Sequence, residues 1–261
     1  MALPALVLVR LHGVHLGADA ILPVSMAWLQ LAGVAAAVEA IGALAGWDRP
    51  TRAALTLTAG LANTSFVGYP LIEALVGPEG LPTAILCDQL GSFLALATVG
   101  AVIAARASGR APSVGALAGR VARFPALWAL ALALLAPPLP DVLAEALERL
   151  GATLTPLALM SVGLQLQGAR GATAPLVVGL GLKLAVVPAA LLGLYLALGV
   201  APGLDLTVTV LEAAMAPMIT GAILAADHGL APGLANRMVG VGIPLSMATV
   251  PLWAAVLRTS G

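Results

Sequence analysis

Apolar runs of about 15 to 26 residues follow one another along almost the whole chain. Each is close to the roughly 20 residues that cross a bilayer as an α-helix, and only short charged or Gly/Pro-rich breaks separate them. Inside hydrocarbon every backbone N–H and C=O must be satisfied by the protein itself, so such a chain spans either as helices or as a closed barrel. Barrel strands would read as shorter segments of strict alternation, and none is found. Composition agrees: the chain is 61% apolar and 9% charged, with a mean hydropathy of +1.05, against about half apolar and a quarter charged in a soluble domain. The reading is an all-α polytopic membrane protein in contact with lipid. Its net charge of zero says little about partners, and nucleic acid is not expected among them. Cys87 is the single cysteine, which gives no disulfide framework. His12, His15 and His228 lack ligand spacing, so neither a metal nor another cofactor is expected. Residues 1 to 16 carry Arg10 and two histidines but no cleavage site of a signal peptide.

Hydropathy places spans at about 2–17, 21–46, 53–76, 81–105, 125–138, 143–167, 174–199, 205–228 and 233–257, about nine in all. Arginines near short loops set orientation. Alternate loops collect Arg49 and Arg52, then Arg106, Arg110, Arg120 and Arg123, then Arg170 and Arg237, while the opposite side holds Arg258 with Arg149 close by. That asymmetry predicts a cytoplasmic N-terminus and an external C-terminus, in a bacterial inner membrane. The one long loop, 106–124, reads as a cytoplasmic linker between a first half of four helices (1–105) and a second of five (125–261).

The halves resemble each other in order. "ALPALVLVRL" at 2–11 matches "LTPLALMSVG" at 154–163 around Pro4 and Pro156, and "VGYPLIEALVG" at 67–77 matches "AMAPMITGAIL" at 214–224 around Pro70 and Pro217. In the predicted topology the members of each pair run in opposite directions, which makes an inverted repeat. Inverted repeats with helices interrupted at corresponding positions point to a secondary transporter whose site lies at the breaks. Proline removes a backbone donor, so the carbonyls of roughly residues 63–67 and 210–214 are expected to lose helical partners and face a ligand. The alternative is that Pro70 and Pro217 only kink two packed helices; their matched positions favour crossing, broken ones.

The stretch "GLANTSFVGYPLIEALVGPEGLPTAILCDQLGS" resembles the Asn-Thr-x-Phe-x-Gly-x-Pro-Leu helix, the Gly-Pro-Glu-Gly turn and the Asp-bearing helix of the auxin efflux carrier family. "LTPLALMSVGLQL" resembles its Pro-Leu-x-Leu segment, and "EAAMAPMITGAILAADHGLAPGLANRMVGVGIPLSMATVPLW" its last two helices. The likeness covers nearly the whole chain. It implies two inverted five-helix repeats, a fold shared with bile-acid transporters and sodium/proton antiporters, with a scaffold domain and a crossover-bearing transport domain. "MALPALVLVR" then looks like the family's second helix, so the first is expected to be missing, either naturally or because Met1 is internal to a longer reading frame. Plant members resemble dimers joined through the scaffold, which makes a homodimer a possibility here.

Asn63 lies seven positions before Pro70, hence on its face, and its amide can donate to and accept from a carboxylate. The competing role is an interhelical hydrogen bond. Thr64, on a small-residue stripe with Gly60 and Gly68, suits close packing as well as binding. Tyr69, Pro70, Met215, Pro217 and Thr220 complete the expected substrate site. Charges inside spans default to functional hypotheses: Glu73, Asp88, Lys183 and Glu212 are candidates for binding H⁺ or Na⁺, for neutralising an anion, or for pairing with one another. Glu39 reads as structural, Gln165 and Gln167 as interfacial, and Cys87 as core.

The expected function is transport of a small organic anion, a carboxylate or auxin-like weak acid, by alternating access. A channel would need polar rings along a pore, whereas polarity here concentrates at two breaks. An intramembrane enzyme lacks Gly-x-Ser-x-Gly, His-Glu-x-x-His or a second aspartate motif.

Overall fold

The computed structural model describes residues 2–12, 17, 20–110, 114–135, 139–157, 160 and 173–259. Among them the chain is almost entirely helical, with no strand. Four helices are long and apolar enough to cross a membrane: α2 (Ile21–Leu44), α5 (Pro78–Ala107), α9 (Ala174–Ala197) and α12, whose apolar span is Pro232–Arg258. Shorter helices complete the order: α1 (Ala2–Leu11), α3 (Arg49–Ala59), α4 (Tyr69–Leu75), α6 (Val114–Ala122), α7 (Pro125–Leu135), α8 (Asp141–Ala152), α10 (Leu204–Ala214) and α11 (Ile219–Asp227). An integral membrane protein follows from these lengths and this apolarity.

Two expected spans are interrupted. α3 and α10 each run 11 residues and stop. After each, a short extended link leads into a second helix: the first through the π-helical turn Thr64–Gly68 into α4, the second directly into α11. The links cross: Ala62 and Pro217 form an antiparallel bridge, Asn63 N donates to Ala216 O at 2.9 Å, and Met218 N donates to Leu61 O at 3.2 Å. Extended backbone is tolerated at this depth because each link answers the other's polar groups.

The position of the first break corrects the expectation. It lies at Leu61–Asn63, upstream of Pro70, which sits as second residue of α4. The missing N–H of Pro70 is absorbed by the π turn, where Gly68 N reaches back five residues to Asn63 O at 3.0 Å. Proline near a helix start costs little. Pro217, in contrast, lies in the second link itself, and its partner across the bridge is Ala62. The sequence match of Pro70 to Pro217 was therefore out of register with the crossing.

Three further boundaries differ. The 106–124 linker contains the helix α6. The expected span 143–167 is divided at Thr153, a turn between α8 and the helical residues 154–157, and α8 carries Asp141, Glu145, Glu148 and Arg149 in 12 residues. Such a charge load suits a membrane surface and not a bilayer core. α1 ends at Leu11. Gln165, Gln167, Arg170 and His15 lie outside the described residues.

Packing joins the pieces through buried aliphatic side chains contributed by every long helix. The indole N–H of Trp28 donates to Leu90 O and that of Trp253 to Leu184 O at 2.9 Å. Both acceptors lie in π-widened stretches of α5 and α9. Glu39 is structural as expected, paired with Arg52 at 2.6 Å.

α3 begins with a stop in the chain after α2: Asp48 is its N-cap and accepts from Thr51 N at 2.9 Å, with Pro50 in the first turn. The bond to Thr51 lowers the Asp48 carboxyl below its ordinary value. A depressed carboxylate stabilises the fold above its unfolded pKa, near 3.9, and loses that contribution as pH falls through the folded value. Asp48→Ala should therefore destabilise the protein by about 1 kcal/mol at neutral pH. Thermal unfolding in detergent as a function of pH should show that difference shrinking below about pH 4.

Candidate functional site

The crossing ends two helices inside the protein, and their last carbonyls need donors. For α3 the donor is Gln30 of α2, whose Nε2 reaches Ala59 O at 3.3 Å. For α10 it is Lys183 of α9, whose Nζ donates to Ala213 O at 2.6 Å. Gln30 and Lys183 are each the tenth residue of a 24-residue helix, so the same position serves the same end in both. An ammonium also complements the negative end of the helix dipole. Both side chains are buried.

On the far side of the first break, Asp88 is buried at 3% exposure and collects three donors. Thr64 Oγ1 donates at 2.5 Å, Tyr69 OH at 2.9 Å and Gln89 Nε2 at 2.6 Å. Thr64 and Tyr69 flank the π turn before α4, so a carboxylate from α5 sits at the positive end of the second half-helix. The hydroxyls expected to meet a substrate are thus directed at Asp88. Neither half-helix has a side-chain hydrogen bond at its N-cap, Gly68 or Met218; the difference is that hydroxyls at the first start bond Asp88.

Glu212, in the last turn of α10, is fully buried, and neither carboxyl oxygen has a hydrogen-bond partner among the described residues. Gly68 is pressed against it: a Cβ there would overlap both oxygens. Asp88 and Lys183 are within electrostatic reach of Glu212, yet no ion pair among the described residues joins them. Asn63 is buried with its Nδ2 unpartnered, and Gln89 leaves its Oε1 unpartnered. A polar cluster this deep, with unmatched atoms, calls for a further ligand or for motion.

Two cavities flank the cluster. The larger, about 450 Å³, has Asp88 and Ser65 on its wall, Met218 and Thr220 from the start of α11, and Phe93 and Phe124 on its apolar side. Those two rings stack with centroids 3.6 Å apart. The smaller, about 140 Å³, is lined by Tyr69, Glu73, Arg10 and Glu148. Along α1, α4 and α5 the two are displaced from each other: Leu3, Ser65 and Asp88 belong to one, Leu6, Tyr69 and Leu81 to the other. The Tyr69–Asp88 hydrogen bond lies between them.

Of the residues singled out in the sequence, Asn63, Thr64, Tyr69, Asp88, Lys183, Glu212, Met215 and Pro217 gather at the crossing, and Thr220 opens on the larger cavity. Pro70 is buried in the first turn of α4. Glu73 stands apart on the smaller cavity, where Thr155 Oγ1 donates to it at 3.3 Å. Among the described residues no group of three His, Cys, Asp or Glu side chains could hold a metal ion. Gln30 and the Phe93–Phe124 pair were not anticipated. A glutamine in the middle of an apolar span was a readable signal for the first, whereas nothing in the sequence joins two phenylalanines across the linker.

A family model described as membrane transport protein matches residues 1–115 and 121–254. The chain is 31% identical over 217 residues to an uncharacterized transporter of Methanothermobacter thermautotrophicus, covering 81% of this chain and 70% of that one. It is 33% identical over 120 residues to an uncharacterized transporter of Methanocaldococcus jannaschii, covering 43% of this chain and 38% of the other.

Removing one Asp88 donor leaves a buried carboxylate short of a partner. Tyr69→Phe should cost about 1.5–3 kcal/mol, and Thr64→Val a similar amount. Chemical denaturation in mild detergent, with Tyr195→Phe as a control for losing a hydroxyl bonded to a neutral partner, Ser25, measures the difference.

Proposed function

Since the chain belongs to the membrane transport protein family, the auxin efflux carrier family that its motifs resemble, we propose that it is a secondary transporter of a small organic anion working by alternating access at the crossing of its two interrupted helices. The observation that carries this reading is the contrast between the two half-helix starts. The one before α4 already faces a carboxylate, the protein's own Asp88. The one at α11 opens, through Met218 and Thr220, on the 450 Å³ cavity. A helix start attracts an anion by its free N–H groups and its dipole, and the cavity walls are apolar enough to take the body of a weak organic acid. The buried, unpartnered Nδ2 of Asn63 supplies a further donor beside the crossing.

The Tyr69–Asp88 contact separates the large cavity from the small one, the arrangement a carrier uses to expose one site to two sides in turn. By the arginine distribution the large cavity, rimmed by Phe124 and Asp227, faces the cytoplasm and the small one the outside. The halves 1–105 and 125–261 act as inverted repeats, a reading supported by the equal lengths of α3 and α10 and of α2 and α9. No reaction centre of an enzyme is invoked, and a homodimer through the remaining helices stays within this proposal.

A ligand bound only by the folded state raises its stability, by about 2.7 kcal/mol at a hundred times its Kd. Phenylacetate, indole-3-acetate and malate, each offered to the detergent-purified protein, should include at least one that raises the unfolding temperature, and Asn63→Ala should abolish that shift. Stabilisation by phenethylamine but by none of the three acids would overturn the anion assignment.

A further inference from the structure

The buried charges at the crossing do not balance. Among the described residues Lys183 is the one cation within electrostatic reach of Glu212, while Asp88 is a second carboxylate within the same reach. Tyr69 of α4 and Cys87 of α5 also feel Glu212. The remaining charges on α2 and α12, Glu39, Arg237 and Arg258, stand near helix ends, with Glu39 held by Arg52. Two carboxylates against one ammonium leave a surplus negative charge among buried groups.

The hydrogen bonds say which carboxyl keeps that charge. Three donors point at Asp88, which is how an ionised carboxylate is satisfied. None points at Glu212, whose neighbour on that side is the bare backbone of Gly68. An isolated carboxylate in such a place is far costlier than the neutral acid.

We propose that Glu212 is a proton-binding site at the crossing, occupied by an exchangeable proton while Asp88 stays ionised. A water-borne proton forms an O–H bond with one Glu212 oxygen and leaves again as a proton to water, so no other reactant is required. Gly68 belongs to the same π turn as Thr64, and Ser65 and Phe66 of that turn line the larger cavity. A shift of the turn that reshapes the cavity therefore also changes what lies against Glu212. Use of the proton as the coupling ion rests on the carrier reading above. The proton itself does not, since it can be observed without any substrate.

Infrared difference spectra of the full chain in lipid vesicles, taken between neutral and alkaline pH, test this directly. The neutral sample should show the C=O band of a protonated carboxyl. That band should disappear in Glu212→Gln, shift with ¹³C-glutamate labelling of the unmodified protein, remain in place with ¹³C-aspartate labelling, and move in D₂O. Should Glu212→Gln fail to reconstitute, the labelling of the unmodified protein decides alone. A missing band, a band that survives Glu212→Gln, one that follows the aspartate label, one that ignores D₂O, or one abolished by Na⁺ at constant pH overturns the proposal. Failure of the carrier reading would appear instead in the ligand-stability screen, with the band intact.

Discussion

The buried polar cluster of this protein gathers around one backbone contact, the bridge between Ala62 and Pro217 where two interrupted helices cross. In a bilayer interior a helix may stop only if something else answers its last carbonyls and the next helix's first N–H groups. The two links partly answer each other, through Asn63 N to Ala216 O and Met218 N to Leu61 O. What they leave over is met at two carbonyls by side chains that would otherwise be out of place among hydrocarbon, Gln30 and Lys183, and the Thr64, Tyr69 and Asp88 side chains satisfy one another beside them. The polar cluster is thus a consequence of the crossing as well as a site. A substitution among these residues acts on the position of two helix ends before it acts on any ligand.

That dual role explains how a small displacement could have a large effect. The π turn Thr64–Gly68 is a short, weakly bonded piece of helix, with Asp88 held on one flank and Glu212 against the other. Its Ser65 and Phe66 shape one cavity, while Tyr69, the next residue in the chain, shapes the other. Cores are packed too closely to deform by degrees and tend to pass between discrete arrangements. A segment touching both carboxyls and both cavities is well placed to be the element that passes.

Hydropathy made the membrane class and the long helices legible, because twenty apolar residues admit few alternatives. It located the breaks poorly. Pro70 drew the eye although a proline near a helix start is easily accommodated, and the extended Leu61–Asn63 link is marked only by a Gly and an Asn beside it. The charged α8 could have been separated from its apolar continuation by counting Asp141, Glu145, Glu148 and Arg149. The resemblance to carriers placed Asn63 at the centre from the start. Which residue Lys183 serves was not legible at all: its partner, Ala213 O, is a backbone atom thirty residues away whose need for a donor exists only because α10 stops there. Nor could sequence tell that the Thr64 and Tyr69 hydroxyls are turned to Asp88.

The differences between the halves are more informative than their likeness. At the tenth position of the matched long helices one half has a neutral amide, Gln30, and the other an ammonium, Lys183; each caps an interrupted helix. At the half-helix starts, one meets Asp88 through its hydroxyls and the other opens on a cavity. A strictly symmetric crossing would place like charges together at its centre and would bind the same group twice. Here the cation caps the interrupted helix that carries Glu212, whose carboxyl has no hydrogen-bond partner among the described residues, and the satisfied carboxylate is held by hydroxyls of the other. Charge is thereby divided across the axis of crossing, so that moving one helix end relative to its counterpart alters the electrostatics at the cavity and at Glu212 together. In this chain that link is made by the residues that keep two broken helices satisfied.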